Sequence, residues 1–154
     1  MNGIVHLRGA LAGAAATLVH TAVMFALHPR LPYARREPLP PLAITSEIAR
    51  RTGLETVQGG TGLRVAATAS HFAFGAAAGS LYGPVEARLR GDRTLIGIGY
   101  GLAVWVLSYL GWIPALRILP PATKHPAQRN VMMILAHVAW GAALAATYGR
   151  LSRR

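Results

Sequence analysis

The chain contains no cysteine, which excludes a disulfide framework, a thiolate metal centre and a cysteine nucleophile. Acidic residues are nearly as scarce, five against sixteen Lys and Arg. Glu37, Glu47, Glu55, Glu86 and Asp92 all lie between apolar segments. No carboxylate therefore stands inside those segments to form an Asp-His or Glu-His catalytic pair, or to orient a metal-bound imidazole. Charged residues make up 14% of the 154-residue chain, against roughly 25% in soluble globular domains. The chain also lacks a catalytic motif: the Gly cluster in "VQGGTGL" has neither a Walker lysine nor a strand before it. A non-enzymatic protein is expected.

What is abundant is apolar, 53% of all residues, with many Gly and Ala. A spanning helix needs about 20 such residues. Four segments qualify, at about 4–27, 65–85, 94–116 and 131–151. The first is too long in its apolar run for a signal peptide and is read as an uncleaved span. The net charge of +11 comes from arginines flanking these runs. That placement fits anionic head groups of a lipid bilayer and not nucleic acid.

The loops differ in character. Residues 28–64 begin with a Pro-rich stretch and contain "AITSEIARRTG", which predicts a short amphipathic helix. Thr45 or Ser46 is its expected N-cap, Gly53 its stop, and Ile44 and Ile48 its membrane side. Four spans put both termini on one side. Arg88, Arg90 and Arg93 crowd the turn on that side, with Arg8, Arg150, Arg153 and Arg154 nearby, so both termini are placed in the cytoplasm.

The chain repeats itself. "HFAFGAAAGSLYG" (71–83) and "HVAWGAALAATYG" (137–149) agree at seven of thirteen positions. Gly9, Gly13 and His20 recur in spacing as Gly97, Gly101 and Ser108, and Leu31-Pro32 as Leu119-Pro120. The expected fold is all-α: two repeated helical hairpins forming a four-helix membrane bundle about a pseudo-twofold axis along the membrane normal. At 3.6 residues per turn, Gly75 and Gly79 share a face with His71 and Tyr82; Gly141 and Ala145 share one with His137 and Tyr148. With Gly9, Gly13, Gly97 and Gly101 they form small-xxx-small stripes for close helix packing, and spare stripe surface would serve a homodimer or a larger membrane complex equally well.

His20, His71 and His137 each fall six or seven residues from span ends on one side, roughly 10 Å deep at 1.5 Å per residue. They should meet inside the bundle, His71 and His137 approaching near the axis, with His20 beside them and Ser108 as fourth partner. Ionisable groups inside a membrane are functional candidates. Three readings stand open: interhelical hydrogen bonding alone, a proton or small-cation site, and ligation of haem or a divalent metal by His20, His71 and His137. Tyr82 and Tyr148, at the arginine-rich end, and Trp112 are expected at the membrane interface. Trp105 and Trp140 are expected to fill packing space, and Pro114 to kink or end the third span.

The ordered set His71, Phe74, Tyr82, Pro120-Pro121, Asn130, His137 and Trp140 resembles the YagU-like family of small bacterial inner-membrane proteins. The likeness covers spans two to four and "AGAAATLVH" in span one. It implies a multi-pass protein of the bacterial cytoplasmic membrane, and no reaction.

Overall fold

A computed structural model describes residues 2–32, 37–54 and 60–153. Glu55, Val57–Gly59 of the "VQGGTGL" link and Arg154 lie outside the described residues. The described chain is helical, with no strand. Helix α1 is Asn2–Leu27, α2 Pro40–Thr52, α3 Gly60–Ser80, α4 Tyr82–Glu86, α5 Arg93–Val106, α6 Ile113–Ala115 and α7 Ala127–Ser152. Three helical stretches are long and apolar enough to cross a membrane, Gly3–Arg30, Arg93–Ala115 and Ala127–Ser152, which makes this a multi-pass membrane protein by length and composition. Helix α3, diluted by Gly, Ser and Thr, is not among the three.

The surface pattern is that of a helix bundle in lipid. On α1, Leu7, Leu11, Leu18 and Phe25 are all more than half exposed, while Ala12, Ala16 and Thr17 are buried. Large apolar residues face out and small ones face in, because lipid gives no hydrophobic drive for association and packing decides. Around the bundle, α3 packs on α1, α1 on α7 and α7 on α5. The ring closes where Tyr100 Oη donates to the Ala78 carbonyl at 2.6 Å and where Phe74 meets Trp112, ring centroids 6.1 Å apart.

Glycines set the two antiparallel contacts. A Cβ added to Gly13 would lie 2.2 Å from the Gly75 carbonyl oxygen; one on Gly9 would lie 2.4 Å from that of Gly79. In the second pair, Gly97 backs onto the Gly141 carbonyl at 2.4 Å and Gly101 onto that of His137 at 2.3 Å. By sequence, Gly141 is the equivalent of Gly75 and Ala145 that of Gly79. The second contact is thus displaced by four residues, one helical turn or about 6 Å, relative to the first.

Two elements depart from expectation. Helix α2 begins at Pro40, with Leu39 as N-cap and prolines in its first turn, so Thr45 and Ser46 are interior residues and not caps. Proline suits that first turn because its missing N–H would be unpaired there anyway. Gly53 does end the helix, at φ +69°, its N–H on the Ala49 carbonyl. The apolar stretch Arg93–Ala115 is broken before Pro114: Leu107–Trp112 is a π turn, Ile113 N–H bonds the Ser108 carbonyl, and Gly111 leaves the helical region at φ −106°, ψ −108°. Pro114 cannot donate to Leu110 and its ring pushes that carbonyl aside, so the disturbance falls on the preceding turn.

Candidate functional site

Three of the four helices in the ring carry a histidine to one place. His20 on α1 is 4% exposed, His137 on α7 is 7% exposed, and His71 on α3 is half-buried. Ring centroids lie 5.1 Å apart for His20 and His71 and 4.7 Å for His20 and His137. The three rings meet, and His20 is the one that lies against both others. The repeat predicts instead that His71 and His137 approach each other at the axis. The one-turn displacement accounts for the difference: it seats His137 against the Gly101 backbone, on the α5 side.

The hydrogen bonds fix a tautomer. His137 Nδ1 lies 2.8 Å from the Met133 carbonyl oxygen, which only accepts, so that nitrogen carries the proton. His20 Nε2 faces the same N–H at 3.3 Å and must be the bare acceptor. His20 is then a neutral ring protonated at Nδ1. That Nδ1 is buried with no hydrogen-bond partner, as are His71 Nε2 and Trp105 Nε1. A buried polar group left unpaired costs about 1–3 kcal/mol.

Beside the rings is a cavity of about 390 Å³. Its polar wall is His20, His71, His137, Ser70 and Ser108; Phe74, Tyr109, Trp112, Ile113 and Met133 supply the apolar wall. Pro41, Ile44, Thr45 and Ile48 of α2 cover it. Ile44 and Ile48, expected on the membrane side, thus line the cavity. A smaller void of about 30 Å³, lined by Thr17, His20, His71 and His137 among others, has room for roughly one water.

Helix α2 is tied down at both ends. Before it, Glu37 pairs with Arg129, which is 5% exposed, and with His125 Nδ1 at 3.3 Å. Arg129 also reaches the Pro38 carbonyl at 3.4 Å, and His28 Nε2 lies 3.0 Å from the Glu37 carbonyl. At its far end, Arg51 donates to the carbonyls of Leu116 and Arg117. Midway, the Thr45 and Ser70 hydroxyls are 3.1 Å apart. Glu47 braces Arg50 and Arg51, and hydrogen bonds from both hold its carboxyl at about 2.

Below the histidines the bundle is closed. Trp140 Nε1 donates to Thr17 Oγ1 at 3.3 Å, and Thr17 to the Gly13 carbonyl at 2.8 Å. Then come the glycine contacts and a core of Tyr82, Leu144, Ala145 and Tyr148. Tyr82 and Tyr148 are 0% and 6% exposed, ring centroids 5.4 Å apart, with Tyr100 equally close to Tyr82. They are core residues and not interface anchors. Each stands on an inward stripe, and the Tyr148 hydroxyl rests where a side chain on Gly83 would be. Trp112, 39% exposed, stands at the cavity's edge. Trp140 is buried packing, as expected; Trp105 stacks on Tyr109, centroids 6.5 Å apart.

Sequence reading missed the cavity's apolar wall and the Glu37–Arg129 tie. Phe74 and Tyr109 carried a signal, three residues after His71 and one after Ser108. Glu37 and Arg129, 92 residues apart, carried none. Among the described residues no group of three or more His, Asp or Glu is arranged to hold a metal ion.

No curated protein and no solved structure matches the chain. A family model described as a protein of unknown function, DUF1440, matches residues 14–146, which include all three histidines and every span-forming helix in whole or part, and the chain belongs to that family.

Proposed function

We propose that this is a four-span protein of the bacterial cytoplasmic membrane, built as two repeated hairpins, whose histidine cluster is a one-sided intramembrane binding site. Helix α3 is the fourth span in this reading. Its support is the glycine contact with α1 and 21 residues of helix, about 31 Å at 1.5 Å each. The observation that carries the reading is the meeting of three imidazoles on one cavity under α2, with packed glycines and tyrosines beneath. Such a site receives a ligand or proton from one face and offers no route to the other. Binding or sensing is therefore favoured over transport.

The absence of cysteine makes the test clean. Thr45→Cys and Ser70→Cys should react with an impermeant maleimide from one side of sealed vesicles, Leu89→Cys and Ser152→Cys from the other. Labelling of Thr45→Cys and Ser152→Cys from the same side would overturn the four spans. Reconstituted protein should leave a pH gradient standing at the rate of empty liposomes. A proton flux that His20→Ala abolishes would overturn the one-sided site.

A further inference from the structure

We infer that the cavity under α2 holds one acyl chain of an anionic phospholipid, whose phosphate sits on Arg117 and Arg51 at the cavity's rim. The inference rests on the one-sided site proposed above and names what its cavity holds. Three observations converge. The first is the wall. His20 Nδ1 and His71 Nε2 are buried with essentially no accessible surface, and the Ser70 hydroxyl is engaged with Thr45 and the Ala67 carbonyl. The cavity of about 390 Å³ therefore presents largely carbon, from Ile44, Ile48, Phe74, Trp112 and Ile113. An alkyl chain asks for no hydrogen bond and fits such a wall.

The second is the seam beside the cavity. Helix α2 packs on α3, and neither has more than a glancing backbone contact with the helices from α5 to α6. Two fastenings span that gap near the cavity. Arg51 donates to the carbonyls of Leu116 and Arg117, and Phe74 lies on Trp112. Between them the wall is Ile48, one turn before Arg51, and Ala66, about two turns before Phe74. A chain enters from lipid there, above the closed Phe74–Trp112 contact. The third is charge. Arg117 lies just past α6 at φ +55°, its N–H on the Pro114 carbonyl at 2.9 Å and the Ile118 N–H on that of Ile113 at 3.0 Å. Glycine is the usual residue at such a helix end, and a left-handed arginine there is strained. Its side chain is exposed and, among the described residues, has neither hydrogen bond nor ion pair. Glu47 braces Arg50 and Arg51, which leaves Arg117 the uncompensated cation at the rim. An anionic head group supplies its countercharge.

The test is native mass spectrometry of the purified full-length protein in detergent, titrated with dioleoyl phosphatidylglycerol or dioleoyl phosphatidylcholine. One phosphatidylglycerol should be retained per chain, and phosphatidylcholine should be held more weakly. Arg117→Gly should lower the affinity for phosphatidylglycerol about fivefold, the worth of one basic residue at an anionic surface. The same variant should melt no lower than the parent in lipid-free detergent, because glycine accepts φ +55°. A structural role alone would leave the affinity unchanged. Ile48→Trp fills the cavity from α2 and should weaken retention about tenfold, with an unchanged gel-filtration profile. If Ile48→Trp fails to fold, Arg117→Gly decides. The inference is overturned if the two lipids are held equally, or if either folded variant holds phosphatidylglycerol as well as the parent. It is also overturned if glycerol phosphate alone displaces the lipid, which would make the ligand a free phosphate. In those cases one-sided labelling of Ser70→Cys would still stand. Labelling from both sides would instead remove the site itself.

Discussion

Hairpin α1–α3 closes with Gly13 on Gly75 and Gly9 on Gly79; hairpin α5–α7 closes with Gly101 on His137 and Gly97 on Gly141. The stripes correspond in sequence, with Ala145 in place of Gly79, yet the second hairpin has slid by one turn. The slide has local causes on its own side. Trp105 stands in α5 where α1 has Thr17, and a large ring cannot lie on a glycine as a threonine does on Gly75. Helix α5 also runs into a π turn at Ser108, where α1 continues as plain helix through His20. Similar stripes therefore specify contact without specifying register, and large neighbours choose among the available turns. The difference places His20 at the centre of the cluster and Ser108 on the cavity wall.

The largest expected effects test the contacts themselves. Gly13→Val and Gly141→Val each force a branched side chain into carbonyl oxygens about 2 Å away. Each should cost about 3 kcal/mol or more, beyond the usual range of overpacking because backbone must move. Gly99→Val, with nothing within 4 Å, is the control and should melt like the parent in detergent. If Gly13→Val is tolerated and Gly141→Val is not, only one hairpin depends on its stripe.

The centre of the cluster can be tested next. A double-mutant cycle of His20→Ala with His137→Ala should give a coupling of about 1 kcal/mol, and the same cycle on His71 with His137 a value near zero. Equal couplings would restore the symmetric arrangement expected from sequence. A third test concerns the cover that only the first hairpin carries. Thr45→Cys with Ser70→Cys should oxidise readily, since the hydroxyls they replace are 3.1 Å apart. Failure to crosslink would place α2 away from the cavity.

The smallest effect concerns acidity. Hydrogen bonds from Arg50 and Arg51 lower the Glu47 carboxyl to about 2. A depressed carboxylate contributes above its ordinary value of 4.5 and loses that contribution as pH falls through about 2. The crosslinking rate should therefore hold between pH 8 and pH 4 once corrected for thiolate. Glu47→Gln should raise it modestly by freeing Arg51. A rate that falls within that window, corrected in the same way, would overturn the brace that Glu47 gives Arg51.

Much of this was legible in the sequence because it is periodic. Gly9, Gly13, Gly75 and Gly79 declare a face by spacing alone, and depth follows from counting, so His20, His71 and His137 could be brought together. What escaped depends on side-chain volume across helices. The one-turn slide turns on Trp105; the burial of Tyr82 and Tyr148 turns on space left by Gly83 and its neighbours. The start of α2 at Pro40 escaped because proline reads as a breaker, although the first turn of a helix accepts it. Arg129 escaped because a single arginine beside a span reads as a head-group contact, and here it is buried on Glu37.

The π turn has a consequence in terms of sequence length. A π turn is an α-helix with one residue too many, and each residue turns a helix by about 100°. Removing Leu110 or Gly111 would let the segment anneal into regular helix and carry Trp112 and Ile113 by that angle around its axis. Trp112 would leave the cavity's edge while Gly97 and Gly101, further back, kept their places against α7. The cavity wall is in this sense an insertion, one residue deep, that can be deleted without dismantling the hairpin that bears it.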